Sequence, residues 1–189
     1  MPVTLEKLLQ SRDNRAKHQK DLLESHPGRS LLCMTVQLPG PEKRNETSLV
    51  IAEAGVKAVR EVFEPEYEEL RDLETGYEAY FLVSLSGEDA KRSACHIEDT
   101  HPLGRLMDLD VVEMANQVGH DATVMPGLTG HLLPISRESL GLKPRKCLLC
   151  ENEVRYCMRA KTHSKEELLS RIEQMLKEYE LQAPNPRTD

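Results

Sequence analysis

Asp108 and Asp110 stand either side of one leucine, in the run Met107-Asp108-Leu109-Asp110-Val111. Acidic and apolar residues alternate there with period two, the pattern of a half-buried strand. Successive strand side chains point to opposite faces, so both carboxylates leave one face, with Cα atoms roughly 6.5–7 Å apart. Carboxylates placed side by side repel each other unless a cation lies between them. Hard oxygen ligands favour Mg2+ or Mn2+, and an acidic pair can organise the metals that assist phosphoryl or nucleotidyl transfer. The alternative is a solvated strand face, which is what most Asp-x-Asp triplets are. Two features of the context strengthen the metal reading: the opposite face is uniformly apolar, and Gly104-Arg105 lies just upstream.

A second group, Cys147, Cys150, Cys157 and His163, has the spacing C-x2-C-x6-C-x5-H. The residue types suit zinc, and C-x2-C is a common zinc spacing. On a continuous helix, however, Cys147, Cys150, Val154 and Cys157 share one face and form an interior seam of small apolar side chains. Cys147 and Cys157 would then be about 15 Å apart, too far for one tetrahedral ion. Zinc requires a break between Cys150 and Cys157, and the intervening Glu-Asn-Glu-Val-Arg-Tyr contains no Gly or Pro. The sequence therefore favours the seam.

The elements that must position these residues follow from periodicity. Thr4 to about Ser25 is helical, with Leu5, Leu8 and Leu9 opening an apolar stripe that Leu22 and Leu23 resume. Between them the stripe is interrupted by Arg12, Arg15, Ala16 and Gln19. Either this stretch faces a polar cavity and presents two guanidinium groups to an anion, or two shorter helices meet near Ser11 with the arginines in water. Ser30–Leu38 reads as a strand ended by Pro39-Gly40-Pro41. Ala52, Val56, Val59 and Phe63 predict an amphipathic helix over 46–63. Residues 64–76 are acidic and loop-like, with a short helix around 67–73. Tyr77–Leu85 is a strand, and Gly87 to about Asp99 a helix.

Residues 119–133, with Gly119, Pro126, Gly127 and Gly130, read as a long exposed excursion, after which a strand resumes near 132–136. Pro144 opens a helical stretch through Lys161. Ser164 and Glu167 form a capping box for a last helix that buries Leu168, Ile172, Met175, Leu176 and Tyr179. Helices interspersed with four to five strands predict an α/β or α+β single domain over 1–183. The expected architecture is a mixed sheet, flanking helices and a C-terminal helical pair, with 184–189 as a disordered tail.

The 189 residues suffice for one well-buried core. At 39% hydrophobic and 30% charged, the composition is that of a soluble globular protein. No apolar run is long enough to span a membrane, and the N-terminus lacks a secretion-signal layout. Five cysteines without such a signal point to a reducing cytoplasm. The net charge of −7 argues against broad nucleic-acid binding. It leaves room for a phosphorylated substrate if arginine, lysine or metal supplies local positive charge.

The run His-Pro-Leu-Gly-Arg-Leu-x-Asp-Leu-Asp-Val, followed by Pro-Arg-Lys-Cys-Leu-Leu-Cys and Cys-x-Arg-x-Lys-Thr-His, resembles the citrate lyase holo-acyl-carrier-protein synthases. These are also called apo-citrate lyase phosphoribosyl-dephospho-CoA transferases. The similarity extends to Ser11-Arg12-Asp13-x-Arg15, Pro39-Gly40-Pro41 and Ser136-Arg137. The chain departs from the family pattern between Val112 and Pro134, where its connection is longer than a plain hairpin needs.

The resemblance implies transfer of the phosphoribosyl-dephospho-CoA group from 2′-(5″-triphosphoribosyl)-3′-dephospho-CoA to a serine of the citrate lyase acyl carrier subunit, with release of pyrophosphate. It implies Asp108 and Asp110 as ligands of Mg2+ and Arg105, Arg12 and Arg15 as phosphate ligands. Gly104 would permit close backbone approach, and His101 would orient or deprotonate the carrier serine. Neither nucleic acid nor membrane is an expected partner.

The aspartate strand also resembles nucleotidyltransferases of the polymerase β type, which place Gly-Ser upstream and a third carboxylate on a neighbouring strand. Here Ser86-Gly87 is in reverse order, and the third acid is not evident. Two rival readings remain. One is a nucleotidyltransferase that modifies a protein with a plain nucleoside triphosphate, and the other is a non-catalytic, zinc-stabilised interaction module.

Overall fold

A computed structural model describes residues 3–115 and 131–182. Five strands form one sheet in the order β2-β3-β1-β4-β5: β1 Ser30–Val36, β2 Tyr67–Leu73, β3 Gly76–Val83, β4 Met107–Met114 and β5 Leu132–Ile135. Every neighbouring pair is antiparallel. The sheet is therefore antiparallel throughout and not mixed: the helical links from β1 to β2 and from β3 to β4 return the chain in the same direction but two places along the sheet, so an oppositely directed strand always lies between. The helices are α1 Leu5–Ser25, α2 Glu46–Phe63, α3 Gly87–Thr100, α4 Val154–Ala160 and α5 Lys165–Gln182.

Alternation along the strands divides the interior into two layers. On one face Leu32, Met34, Ala79, Phe81, Met107, Leu109 and Val111 pack with α2, α3 and, through Ile172 and Met175, α5. On the other, Leu31, Cys33, Tyr80, Leu82 and Val112 meet Leu22 and Leu23 near the end of α1. α5 begins with the expected box: the Ser164 N–H donates to Glu167 Oε2 at 2.8 Å and the Glu167 N–H to Ser164 Oγ at 3.1 Å.

α1 is one continuous helix and does not break near Ser11. Its polar middle faces polar residues of the sheet, which explains the interrupted stripe. Residues 67–73 form neither loop nor short helix but the edge strand β2, with strictly alternating half-buried and exposed positions. Its polar residues are tolerated because an edge strand needs only one paired side and a partly covered face. The helix expected from Pro144 to Lys161 is confined to Val154–Ala160. Before it, the chain turns back through a bridge between Lys146 and Glu153, with the Cys147 N–H on Asn152 O at 2.7 Å and the Val154 N–H on Arg145 O at 2.9 Å. Most of the 119–133 excursion and the 184–189 tail lie outside the described residues; β4 and β5, which the excursion connects, are paired neighbours.

No described helix is long and apolar enough to cross a membrane.

Candidate active site

Asp108 and Asp110 leave β4 on one face, opposite the buried side chains of Met107, Leu109 and Val111. Register extends the polar strip across the sheet. Asp108 lies opposite Thr35, Thr35 opposite Glu78, and Glu78 opposite Arg71. The next row is Asp110, Cys33, Tyr80 and Glu69. α1 covers part of this strip. Arg15 donates to Glu78 Oε1 from Nε at 3.0 Å and from Nη2 at 2.6 Å. Tyr80 donates its hydroxyl to the other Glu78 oxygen. His18 contacts Glu69 Oε2 at 2.8 Å and stands edge-on to the Tyr80 ring.

The aspartates reach the open edge of β4. β5 pairs with β4 only from Val111 onward, so the Leu109 backbone is free on that side. Two residues of α3 take its place: the Leu109 N–H donates to Glu98 Oε1 at 2.8 Å, and Lys91 Nζ donates to Leu109 O at 2.7 Å. Glu98 is 1% exposed and is also held by Arg137 Nη2 at 2.6 Å. Lys91 Nζ lies 3.9 Å from Asp110. Arg145 Nη1 donates to Asp108 Oδ1 at 3.0 Å, while its Nη2 donates to the carbonyls of Arg105 at 3.1 Å and Met107 at 2.8 Å. Lys91, Glu98, Asp108, Asp110, Arg137 and Arg145 together line a cleft of about 210 Å³.

The two carboxylates differ. The Asp108 side chain is 34% exposed and that of Asp110 65%. Burial, and then the neighbouring Asp110 carboxylate, raise the Asp108 pKa above its ordinary value, while Arg145 opposes the rise. A divalent cation relieves both causes, so this donor set fits a hard metal ion. Glu78 does not join it, being committed to Arg15 and Tyr80. Mg2+ commonly binds through one or two carboxylates and completes its shell with water and substrate phosphates.

The other residues singled out in the sequence are placed unequally. Arg15 is in the polar strip, but a protein carboxylate occupies it. Arg12 is on the exposed side of α1. Arg105 sits in the 3-10 turn Gly104–Leu106 and does not line the cleft. Burial, and then the nearby cation of Arg145, lower its pKa. Gly104 permits a close approach, but to α3, because a Cβ there would overlap the Ile97 carbonyl and lie 2.7 Å from that of Glu98. His101 caps the end of α3, accepts the Leu103 N–H at Nδ1 and lies tilted against the Tyr179 ring at 5.7 Å between centroids; it does not line the cleft.

Lys91, Glu98 and Glu78 were not evident from sequence. A lone charge inside the apolar run Tyr77-Glu78-Ala79-Tyr80-Phe81 was the available signal for Glu78. Arg137 and Arg145 fall inside the motifs that carry the family resemblance.

The cysteine group departs from the expected seam. Because no helix runs through residues 144–153, the chain turns back there, and one ligand atom each from Cys147, Cys150, Cys157 and His163 lie within 4.8 Å of one another.

Residues 3–179 match the family model described as apo-citrate lyase phosphoribosyl-dephospho-CoA transferase. The chain belongs to this family. A relative from Streptococcus pyogenes serotype M18, named a probable apo-citrate lyase phosphoribosyl-dephospho-CoA transferase, is 35% identical over 180 residues, covering 94% of this chain and 87% of its own. A Vibrio cholerae serotype O1 protein of the same name is 34% identical over 185 residues, covering 95% and 94%. In this member of the family, the cleft at the end of β5 brings the paired acids of β4 together with residues of two other stretches on which the resemblance rests, Ser136-Arg137 and Pro144-Arg145.

Proposed function

We propose that this protein transfers the phosphoribosyl-dephospho-CoA group of 2′-(5″-triphosphoribosyl)-3′-dephospho-CoA to a serine of the apo-citrate lyase acyl carrier subunit, releasing pyrophosphate. The new bond joins the serine oxygen to the phosphorus attached to the ribosyl group. The bond that breaks links that phosphorus to the departing pyrophosphate, and the serine proton leaves to a base or water. Family membership supports the substrate class. The observation that carries the site is the placement of Asp108 and Asp110 at an open sheet edge, beside Lys91, Arg137 and Arg145.

Asp108 and Asp110 would hold Mg2+, which when bound neutralises charge on the phosphates under attack and on the leaving group. Arg145 fixes the Asp108 carboxylate through Nη1 and cannot swing away, because Nη2 is anchored on two carbonyls. Lys91, pinned by Leu109 O, adds a fixed positive charge beside Asp110, while Arg137, paired with both Glu98 and Asp99, holds Glu98 in place at the cleft wall. Such preorganised charges need little reorganisation as negative charge shifts to the leaving group. At about 210 Å³ the cleft accommodates the polyphosphate end of the donor and not its whole length.

The test is reconstitution with purified apo carrier, donor and Mg2+, followed by intact mass of the carrier. A gain equal to phosphoribosyl-dephospho-CoA, abolished by EDTA, is the expected result. A gain equal to a nucleoside monophosphate, with a plain nucleoside triphosphate as donor, would overturn the substrate assignment. Full turnover in EDTA would overturn the metal.

A further inference from the structure

We propose that Cys147, Cys150, Cys157 and His163 hold one structural zinc ion, which clasps residues 144–164 and, through them, fastens Arg145 to the aspartate strand. The geometry comes first. Cys150 Sγ lies 3.5 Å from Cys157 Sγ and 3.4 Å from His163 Nε2, and all four ligand atoms fall within a 4.8 Å span. A tetrahedral ion with ordinary Zn–S and Zn–N bonds needs edges of about 3.8 Å and about 3.6 Å. The group is thus close to the size of a coordination shell, with four protein ligands and no position left for a substrate. That composition belongs to structural and not catalytic zinc. Thiolate and imidazole donors select zinc over the hard cation suited to the aspartates.

The second observation is what this segment lacks. In residues 144–164 the only buried side chains are Cys147 and Cys157, while Tyr156 and Met158 are 61% and 71% exposed. The segment otherwise consists of a single bridge, a seven-residue helix and turns. A helix that short is not stable on its own. Segments with too little apolar surface to bury are typically secured by disulfides or metals. Lys161 adopts a left-handed backbone at φ 49°, and the Thr162 N–H returns to Cys157 O at 3.1 Å. This turn ends α4 and delivers His163 to the cysteines.

The clasp reaches the cleft through one short stretch. Arg145 precedes Cys147 by two residues, and its carbonyl receives the Val154 N–H where the chain folds back. Fixing Cys147 against Cys157 therefore fixes the short segment from which Arg145 reaches Asp108.

Metal analysis of the full-length protein, purified without chelator, tests the proposal. About one zinc per chain is expected, with Cys147, Cys150 and Cys157 resistant to alkylation until a chelator is added. Exchange with Co2+ should give the absorption of a tetrahedral thiolate site. Cys150→Ser should lose both metal and spectrum, whereas His163→Cys, which offers four thiolates, should retain one metal. If Cys150→Ser does not fold, the wild-type metal content, cobalt spectrum and alkylation pattern still decide. Protein holding no stoichiometric zinc after equilibration with the ion, stoichiometric iron instead, or a Cys150–Cys157 disulfide would overturn the proposal. None of these readouts depends on transfer activity, so failure here leaves the proposed reaction standing, and the reverse.

Discussion

Arg145 Nη1 lies 3.0 Å from Asp108 Oδ1 although 37 residues separate the two in the chain. The guanidinium is not merely a counter-ion, because its other amino group is fixed to the carbonyls of Arg105 and Met107. A planar fork with donors in these directions has no lysine equivalent. We expect Arg145→Lys to lose about 10- to 100-fold in kcat/KM, close to the loss in Arg145→Ala, since positioning and not net charge is removed. Arg145→Ala should also cost about 1–3 kcal/mol in chemical denaturation by leaving hydrogen-bond partners unsatisfied. Full activity of Arg145→Lys would sink this role.

Asp108→Asn should separate activity from stability. Its pKa is raised by burial first and by Asp110 second. For an acid shifted this way, the favourable contribution belongs to the protonated form; it is complete below the unfolded-state pKa and is lost as pH rises through the folded one. At neutral pH the charge is a burden in metal-free buffer. The asparagine variant should therefore be at least as stable as the parent by thermal melting, while transfer falls about 10³-fold or more. Asp110→Asn should show a comparable loss of activity.

Glu78 and Arg15 form the more deeply buried ion pair of the polar strip, with Glu78 at 5% side-chain exposure. Breaking a buried pair from one side leaves an uncompensated charge, so Glu78→Ala should cost about 3–5 kcal/mol. The double variant with Arg15→Ala should cost less than the sum of the two single changes. Additive losses in urea unfolding would show that the pair is not energetically coupled.

Gly104→Ala discriminates packing from substrate approach. A methyl group would meet the carbonyl oxygens of Ile97 and Glu98 at the end of α3. Forcing atoms into such a contact usually costs about 1–3 kcal/mol. A lower melting temperature is the expected result. Unchanged stability with a raised KM would instead place the glycine against the donor.

Cys33 gives an alkaline signature. Burial pushes its thiol up to about 12 from 9.0. Between those values the unfolded chain has released the proton and the folded chain retains it, so stability declines as pH rises. The contribution is about 1.4 kcal/mol per pH unit. Cys33→Ala should remove that slope, measured as the difference in unfolding free energy between the two proteins from pH 9 upward. Parallel pH profiles for the two would refute the assignment.

Much of this architecture is legible in local sequence. Period-two alternation locates β4 and its acid pair, helical spacing locates α2 and α3, and Ser164 with Glu167 marks the start of α5. What escapes is information that exists only between distant segments. β2 was hidden because Tyr67-Glu68-Glu69-Leu70-Arg71 is polar on its own, and its alternation becomes meaningful once Glu69 and Arg71 lie beside Tyr80 and Glu78. The fold-back at Lys146 and Glu153 has no Gly or Pro to announce it. The edge-filling role of Lys91 and Glu98 depends on where β5 ends, which no pattern in α3 records.

That early ending of β5 has a consequence for self-association. An uncovered length of strand offers its amides and carbonyls to any other extended chain, and such edges seed aggregation. In this molecule a lysine and a glutamate have already taken the Leu109 positions, so a foreign strand finds no free ladder beside the aspartates. The residues that furnish the cleft with charge thereby also keep this stretch of β4 from being extended by a neighbour.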